Sequence, residues 1–162
     1  MIEDWAAALE ATALATGLRN SVWSYPLVNA AHILGVALLV GSIVPLDLRL
    51  LGAWRSAPLA PLWNILTRTA GAGFLLAIIF GMLLFITRAT EYIASNLFLA
   101  KMAIVIIGTA NVMALRMPPP PSDASEIASA HAMPPLRLRL AAGVSLTAWL
   151  TAMTLGRLVG YF

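Results

Sequence analysis

The chain has 162 residues, 60% of them hydrophobic and 10% charged, with a mean hydropathy of +0.88. Soluble domains carry about a quarter of their residues as charges, so this composition excludes a soluble enzyme and indicates one integral membrane domain. The absence of cysteine excludes disulfides, thiolate metal sites, iron–sulfur clusters and c-type haem attachment, and the net charge of +3 rests on ten scattered basic residues without the run expected of a nucleic-acid binder.

Residues 2–17 read as one short amphipathic helix lying in the membrane interface, with Ile2, Trp5, Leu9 and Ala13 on a common face. Glu3 and Asp4 fall in its first turn, where the helix dipole favours acids, and Gly17 is the expected stop. The same two acids stand where a signal peptide needs basic residues, so a cleaved leader is not expected.

Four apolar segments follow, at about 26–44, 64–87, 97–116 and 138–160. The first opens with Pro26, a favoured first helical residue, and its length corresponds to roughly 28 Å of helix, enough for the hydrocarbon core. Trp23, Tyr25, Trp54, Trp63, Tyr92 and Tyr161 lie near the segment ends, as an aromatic belt requires. The expected connections are Leu46–Trp63, Arg88–Asn96 and a mobile loop over 117–137 that starts with Pro118–Pro121. The fold class expected is therefore all-α, a four-helix membrane bundle with an N-terminal interfacial helix.

Arg49, Arg55, Arg68, Arg116, Arg137 and Arg139 fall on one side, and Arg19, Arg88, Lys101 and Arg157 on the other. The bias places both termini outside. Small residues at Ala31, Gly35, Gly71, Gly81, Gly108, Gly143, Gly156 and Gly160 are expected to let helices approach closely.

Ionisable groups at membrane depth need partners, ligands or water. His32 lies about six residues into the first segment, with Tyr25 and Asn29 on the same helix face. Lys101, Arg157, Met82, Met102 and Met153 are expected at the same outer level. Three readings compete for this layer. A b-type haem would take His32 as axial ligand, with Met or nothing opposite and Lys101 and Arg157 on the propionates. Copper(I) would suit the imidazole with the three thioethers. Without a cofactor, His32 hydrogen-bonds Asn29 or a carbonyl, the cations snorkel, and the methionines fill gaps.

His131 falls in the inner-side loop, some ~20 Å from His32 by helical rise, and reads as a solvated loop residue, as do Asp123 and Glu126. At the inner end, Asp47 reads as an interfacial partner for Arg68 or Arg116. Asn111 reads as an interhelical hydrogen-bond donor, and Trp149, far from the belt, needs a partner for its N–H. No hydrolase, metalloprotease or phosphate-loop motif is present, so no catalytic activity is assigned.

Tyr25-Pro26, His32-x-x-Gly35, Gly41, Asp47-Leu-Arg-Leu-Leu-Gly52, Gly81-x-Leu-Leu-Phe85, Phe98-Leu-Ala-Lys101 with Asn111, and Gly156-Arg157 with Tyr161 carry a resemblance. In this order they resemble, over nearly the whole chain, a family of uncharacterised four-helix bacterial inner-membrane proteins. That resemblance implies the fold and an inner-membrane location. More remotely the chain is similar to copper-resistance D type domains and to b561-type cytochromes, which hold two haems with four histidines; this chain has one histidine at membrane depth. The function expected is a small membrane subunit or anchor, in contact with lipid and with other membrane proteins, holding one haem b or none. The alternatives are copper handling and a purely structural role.

Overall fold

The computed structural model describes residues 1–116 and 133–161, with the side chains of Leu115 and Arg116 left aside. The described residues form seven helices: α1 (Ile2–Glu10), α2 (Ala13–Asn20), α3 (Ser24–Leu51), α4 (Leu59–Thr87), α5 (Ala89–Ala94), α6 (Asn96–Arg116) and α7 (Leu136–Leu158). α3, α4, α6 and α7 are each long and apolar enough to cross a membrane. This is an all-α membrane bundle.

The spans are joined side by side in the order α4, α3, α7, α6, and α4 does not pack on α6. The tightest join is α3 on α4. A β-carbon at Gly35 would stand 2.5 Å from the Ala77 nitrogen and 2.9 Å from the Gly73 oxygen. One at Gly73 would stand 2.6 Å from the Leu39 nitrogen and 2.7 Å from the Gly35 oxygen. The two backbones touch because neither residue has a side chain. Lipid supplies no hydrophobic force between helices, so such close packing is what holds them. Of the glycines expected to pack, Gly71 and Gly143 meet nothing; on α4 the backbone contact is made by Gly73, and Gly81 receives a side chain of α3.

Inward of this crossing, Leu39, Ile43, Ala70 and Trp149 form one buried cluster with Phe74 against it. A second cluster at the inner end joins Leu46, Leu50, Leu59, Leu138 and Ala142, covered by Trp63 and Leu66. α3 runs seven residues past the expected end, straight through Pro45. Pro45 has no N–H for the Gly41 carbonyl, and the helix continues with that one bond missing. The helix stops instead at Gly52, whose left-handed backbone (φ 110°) closes it with bonds from Gly52 N–H to Arg49 O and from Ala53 N–H to Leu48 O. Buried Arg49 then ties down the turn, donating to the carbonyls of Ala57 (2.9 Å) and Arg55 (3.2 Å). The α3–α4 connection is consequently short, and α4 begins at Leu59, ahead of the expected residue 64. α7 likewise begins at Leu136, inside the stretch expected to be a loop, while His131, Asp123 and Glu126 lie outside the described residues.

The N-terminus differs from expectation. The single helix over 2–17 is two helices, broken at Ala11–Thr12, and Gly17 lies inside the second. Thr12 makes the break: its hydroxyl donates to Leu9 O (2.7 Å) and accepts from Ala15 N–H (3.3 Å), capping α2. Ala6, Ala15 and Ala89 are fully buried where the pair packs on the outer ends of α4 and α5, whereas Ile2 and Trp5 point outward. The Glu10 carboxylate accepts from both the N–H (2.7 Å) and the hydroxyl (2.6 Å) of Thr90 in the first turn of α5. Arg19 donates to the carbonyls of Thr87 (2.9 Å) and Glu10 (2.7 Å). α5, within the expected 88–96 connection, exists to receive this contact.

Two predictions follow from these packings. Gly35→Ala or Gly73→Ala gains about 1 kcal/mol of helix propensity but drives a methyl into backbone that has no flexible end to yield. A net loss of about 1–3 kcal/mol in unfolding free energy is expected, against a gain of about 0.5–1 kcal/mol for Gly71→Ala, whose methyl meets nothing, measured by unfolding in mixed micelles. The Thr90 hydroxyl and N–H hold the Glu10 carboxyl below its ordinary value of 4.5, assisted by Arg19. A carboxylate with a depressed folded pKa adds stability that is complete above the unfolded pKa and fades as pH falls through the folded one. Protection of the α1 and α2 amides, taken relative to the unfolded chain at the same pH, should therefore fall below pH 4.5, and in Glu10→Gln protection should already be low and lack that acid step.

Candidate functional site

Two polar regions occur along α3, fifteen residues apart, which places them roughly 22 Å from each other along the axis. The outer one is the layer anticipated from the sequence. His32 is half-buried, and its ring lies over Gly81, where a β-carbon would stand 3.0 Å from Cε1. Nδ1 is 2.9 Å from the Ala77 carbonyl. A carbonyl only accepts, so Nδ1 carries the proton and donates, which leaves Nε2 with its lone pair. Lys101 lies within electrostatic reach of this imidazole. The stem of Lys101 rests on α7 at Gly156, with Cε 3.3 Å from the place of a β-carbon there.

The remaining members of the layer are not gathered around His32. Arg157 turns to its own helix end, donating to the Tyr161 hydroxyl (2.6 Å) and lying 4.8 Å from the centre of that ring. Asn29 is exposed. Tyr25 is half-buried near Tyr92, whose hydroxyl is pushed up from its ordinary range by burial and by Tyr25. Tyr92 itself belongs to a ring cluster with Phe85 (6.1 Å) and Phe98 (5.0 Å) that closes the outer end between α4, α5 and α6. Met82, Met102 and Met153 lie 63%, 39% and 46% exposed on three different helices.

The inner region was not anticipated as a site. A cleft of about 420 Å³ is lined by all four spans, between α4 and α6, with α3 and α7 behind it. Gly71 and Met113, both exposed, stand among its lining residues on the two walls. Asp47 is only 4% exposed and lines it. The Ser145 hydroxyl of α7 donates to its carboxyl, and Oδ2 has no partner. Asp47 makes no ion pair with Arg68, one of the two partners expected for it, while the side chain of Arg116, the other, lies outside the described residues; Asp47 is the one ionisable side chain among the described lining residues. One turn along α7, Trp149 (5% exposed) meets Phe74 edge-on at 5.8 Å and 79°. Gly108 of α6 makes room for the indole, a β-carbon there falling 3.2 Å from Cε2. The indole N–H is buried and has no acceptor. The sequence did carry a signal for this region. Asp47 and Arg49 both follow Pro45, and treating that proline as a helix end moved them to the interface.

Asn111 takes the role expected of it, donating to the Ala141 carbonyl of α7 at 2.9 Å. With Lys101 on Gly156 and Gly108 under Trp149, it fixes α6 to α7 at three heights. Asn111→Ala should cost about 0.6–1.7 kcal/mol in unfolding free energy, the range for such bonds in lipid, and should loosen α6 selectively in amide exchange.

Compared with known protein families, curated proteins and solved structures, the chain matches none.

Proposed function

We propose that this chain is a small subunit or anchor, without catalysis of its own, of a larger complex in a bacterial inner membrane. The observation that supports this reading is the position of α6. Among the long helices it sits at the end of the row and packs along α7 alone. Its span is the least buried of the four. The face it turns outward carries Ala100, Ala103, Ala110 and Ala114 at spacings that keep them in one stripe, together with the exposed Ile106 and Ile107. Small residues in such a stripe suit a further helix better than disordered acyl chains. The charge bias supports outer-side termini, with Arg49, Arg55, Arg68, Arg137 and Arg139 on the cytoplasmic side. Because the chain has no cysteine, single-cysteine variants give clean cross-linking in native membranes. Ala103→Cys and Ala110→Cys should yield a discrete protein adduct, and Ile78→Cys on the outward face of α4 should not. Equal labelling by lipid alone at all three positions would overturn the assignment.

A second reading is favoured by one contact, the bond from His32 Nδ1–H to Ala77. Metal-bound histidines commonly donate their other ring N–H to a carbonyl in this way, which orients the ligating nitrogen. On this reading His32 Nε2 holds one haem b, which would supply a one-electron carrier, and Lys101 offers the nearby cation for a propionate. Arg157, paired with Tyr161, would have to swing away from it. Protein purified from haem-replete cells should then show a Soret band that disappears in His32→Ala. Stoichiometric copper without that band would move the assignment to copper, and neither signal would leave the subunit without a cofactor.

A further inference from the structure

We propose that the cleft between α4 and α6 is a binding site for a small lipophilic amine, held by the Asp47 carboxylate and by the aromatic rings around it. The proposal is independent of the subunit assignment above and involves a different end of the bundle from His32.

The argument starts with the cost of the carboxyl. Asp47 is almost wholly buried within the protein near the end of α3, and its single hydrogen bond comes from Ser145. Oδ2 has no donor, and among the described side chains no cation lines the cleft beside it. Buried charges are otherwise paired or bound to metal, and an intramembrane ionisable group turned to a cavity marks a ligand or ion path. The cleft has the size of a small-ligand pocket and the composition of one, mostly apolar with few convergent polar groups.

The walls select the charge type. Trp63, Phe74 and Trp149 line the same space as Asp47. Ring faces attract cations and repel anions, most strongly where the contact is desolvated. A carboxylate among three rings therefore favours an ammonium group and disfavours an acid of the same shape. The ammonium N–H groups satisfy Oδ2 while the apolar body of the amine lies along Leu39, Ile43 and Ala70. The unpaired indole N–H of Trp149 stands about 6 Å further along, one turn of α7 from Ser145. It would serve an oxygen acceptor carried on the ligand. Entry is lateral, from the lipid, because α4 and α6 do not close on one another.

The test uses the full chain in nanodiscs of zwitterionic lipid and three probes of one shape: 4-phenylbutylamine, 4-phenylbutanol and 4-phenylbutanoate. In equilibrium dialysis the amine should bind saturably with one site, about tenfold or more tighter than the alcohol, and the acid should not compete. Asp47→Asn, which keeps the Ser145 contact and the volume, should abolish the preference for the amine. A second measurement needs no substitution. Dicyclohexylcarbodiimide, which reaches carboxyls from lipid, should modify Asp47 in peptide mapping, and the amine should slow that reaction about tenfold while the alcohol does not. Equal binding of amine and alcohol, unchanged amine preference in Asp47→Asn, or an Asp47 that the carbodiimide never reaches would each overturn the proposal.

Discussion

The contact on which the rest of the molecule depends is the meeting of two bare backbones, Gly35 of α3 on Gly73 of α4. In water, helices associate because apolar side chains leave solvent; in hydrocarbon that gain is absent, and what remains is dispersion between closely fitted atoms together with polar bonds. Removing two side chains at one crossing brings the helix axes close enough for the neighbouring turns to interlock. Moving outward by one turn puts the His32 ring on Gly81 and its Nδ1–H on Ala77. Moving inward puts Leu39 and Ile43 against Ala70. α7 is then laid against α3 by Trp149 and by the Leu138 and Ala142 pair, and α6 packs along α7, meeting α4 and α5 only through the Phe98 ring at its start.

The fold was largely legible in the sequence because hydropathy and span length are one-dimensional properties. Four apolar runs of the right length, with aromatic residues at their ends, are enough to give four helices. Facing is a different matter. Met82, Met102 and Met153 share an approximate height with His32, yet each sits exposed on its own helix, because depth along the axis says nothing of rotation about it. Asn111 was readable because a carboxamide in the middle of a span has few ways to be satisfied, and a neighbouring carbonyl is the commonest. The helix break at Thr12 was less visible, since an alanine-rich stretch continues across it and only the hydroxyl's local bonding decides the matter. Pro45 misled in the other direction. Proline often ends a helix, but here α3 continues through it, forgoing one bond to the Gly41 carbonyl.

That single proline determines how the inner half is read. With α3 ending at Val44, Asp47 and Arg49 would be interfacial charges facing water. With α3 continuing to Leu51, both are interior. They part company there: Arg49 spends two of its donors on the carbonyls of the α3–α4 turn, and Asp47 looks into the cleft with one oxygen unspoken for. The two polar regions of α3 thus share a pattern, one atom of the group tied to protein and the other left over, at His32 on one side of the membrane and at Asp47 on the other.

The bonds from Thr90 to Glu10, and from Arg19 to Thr87, join residues separated by 80 and 68 positions. During synthesis the first twenty residues emerge long before their receptor, which exists only once α4 has crossed the bilayer and α5 has turned at its outer end. The N-terminal pair therefore cannot form these bonds until the second crossing is complete, so its docking joins the earliest part of the chain to a surface made much later.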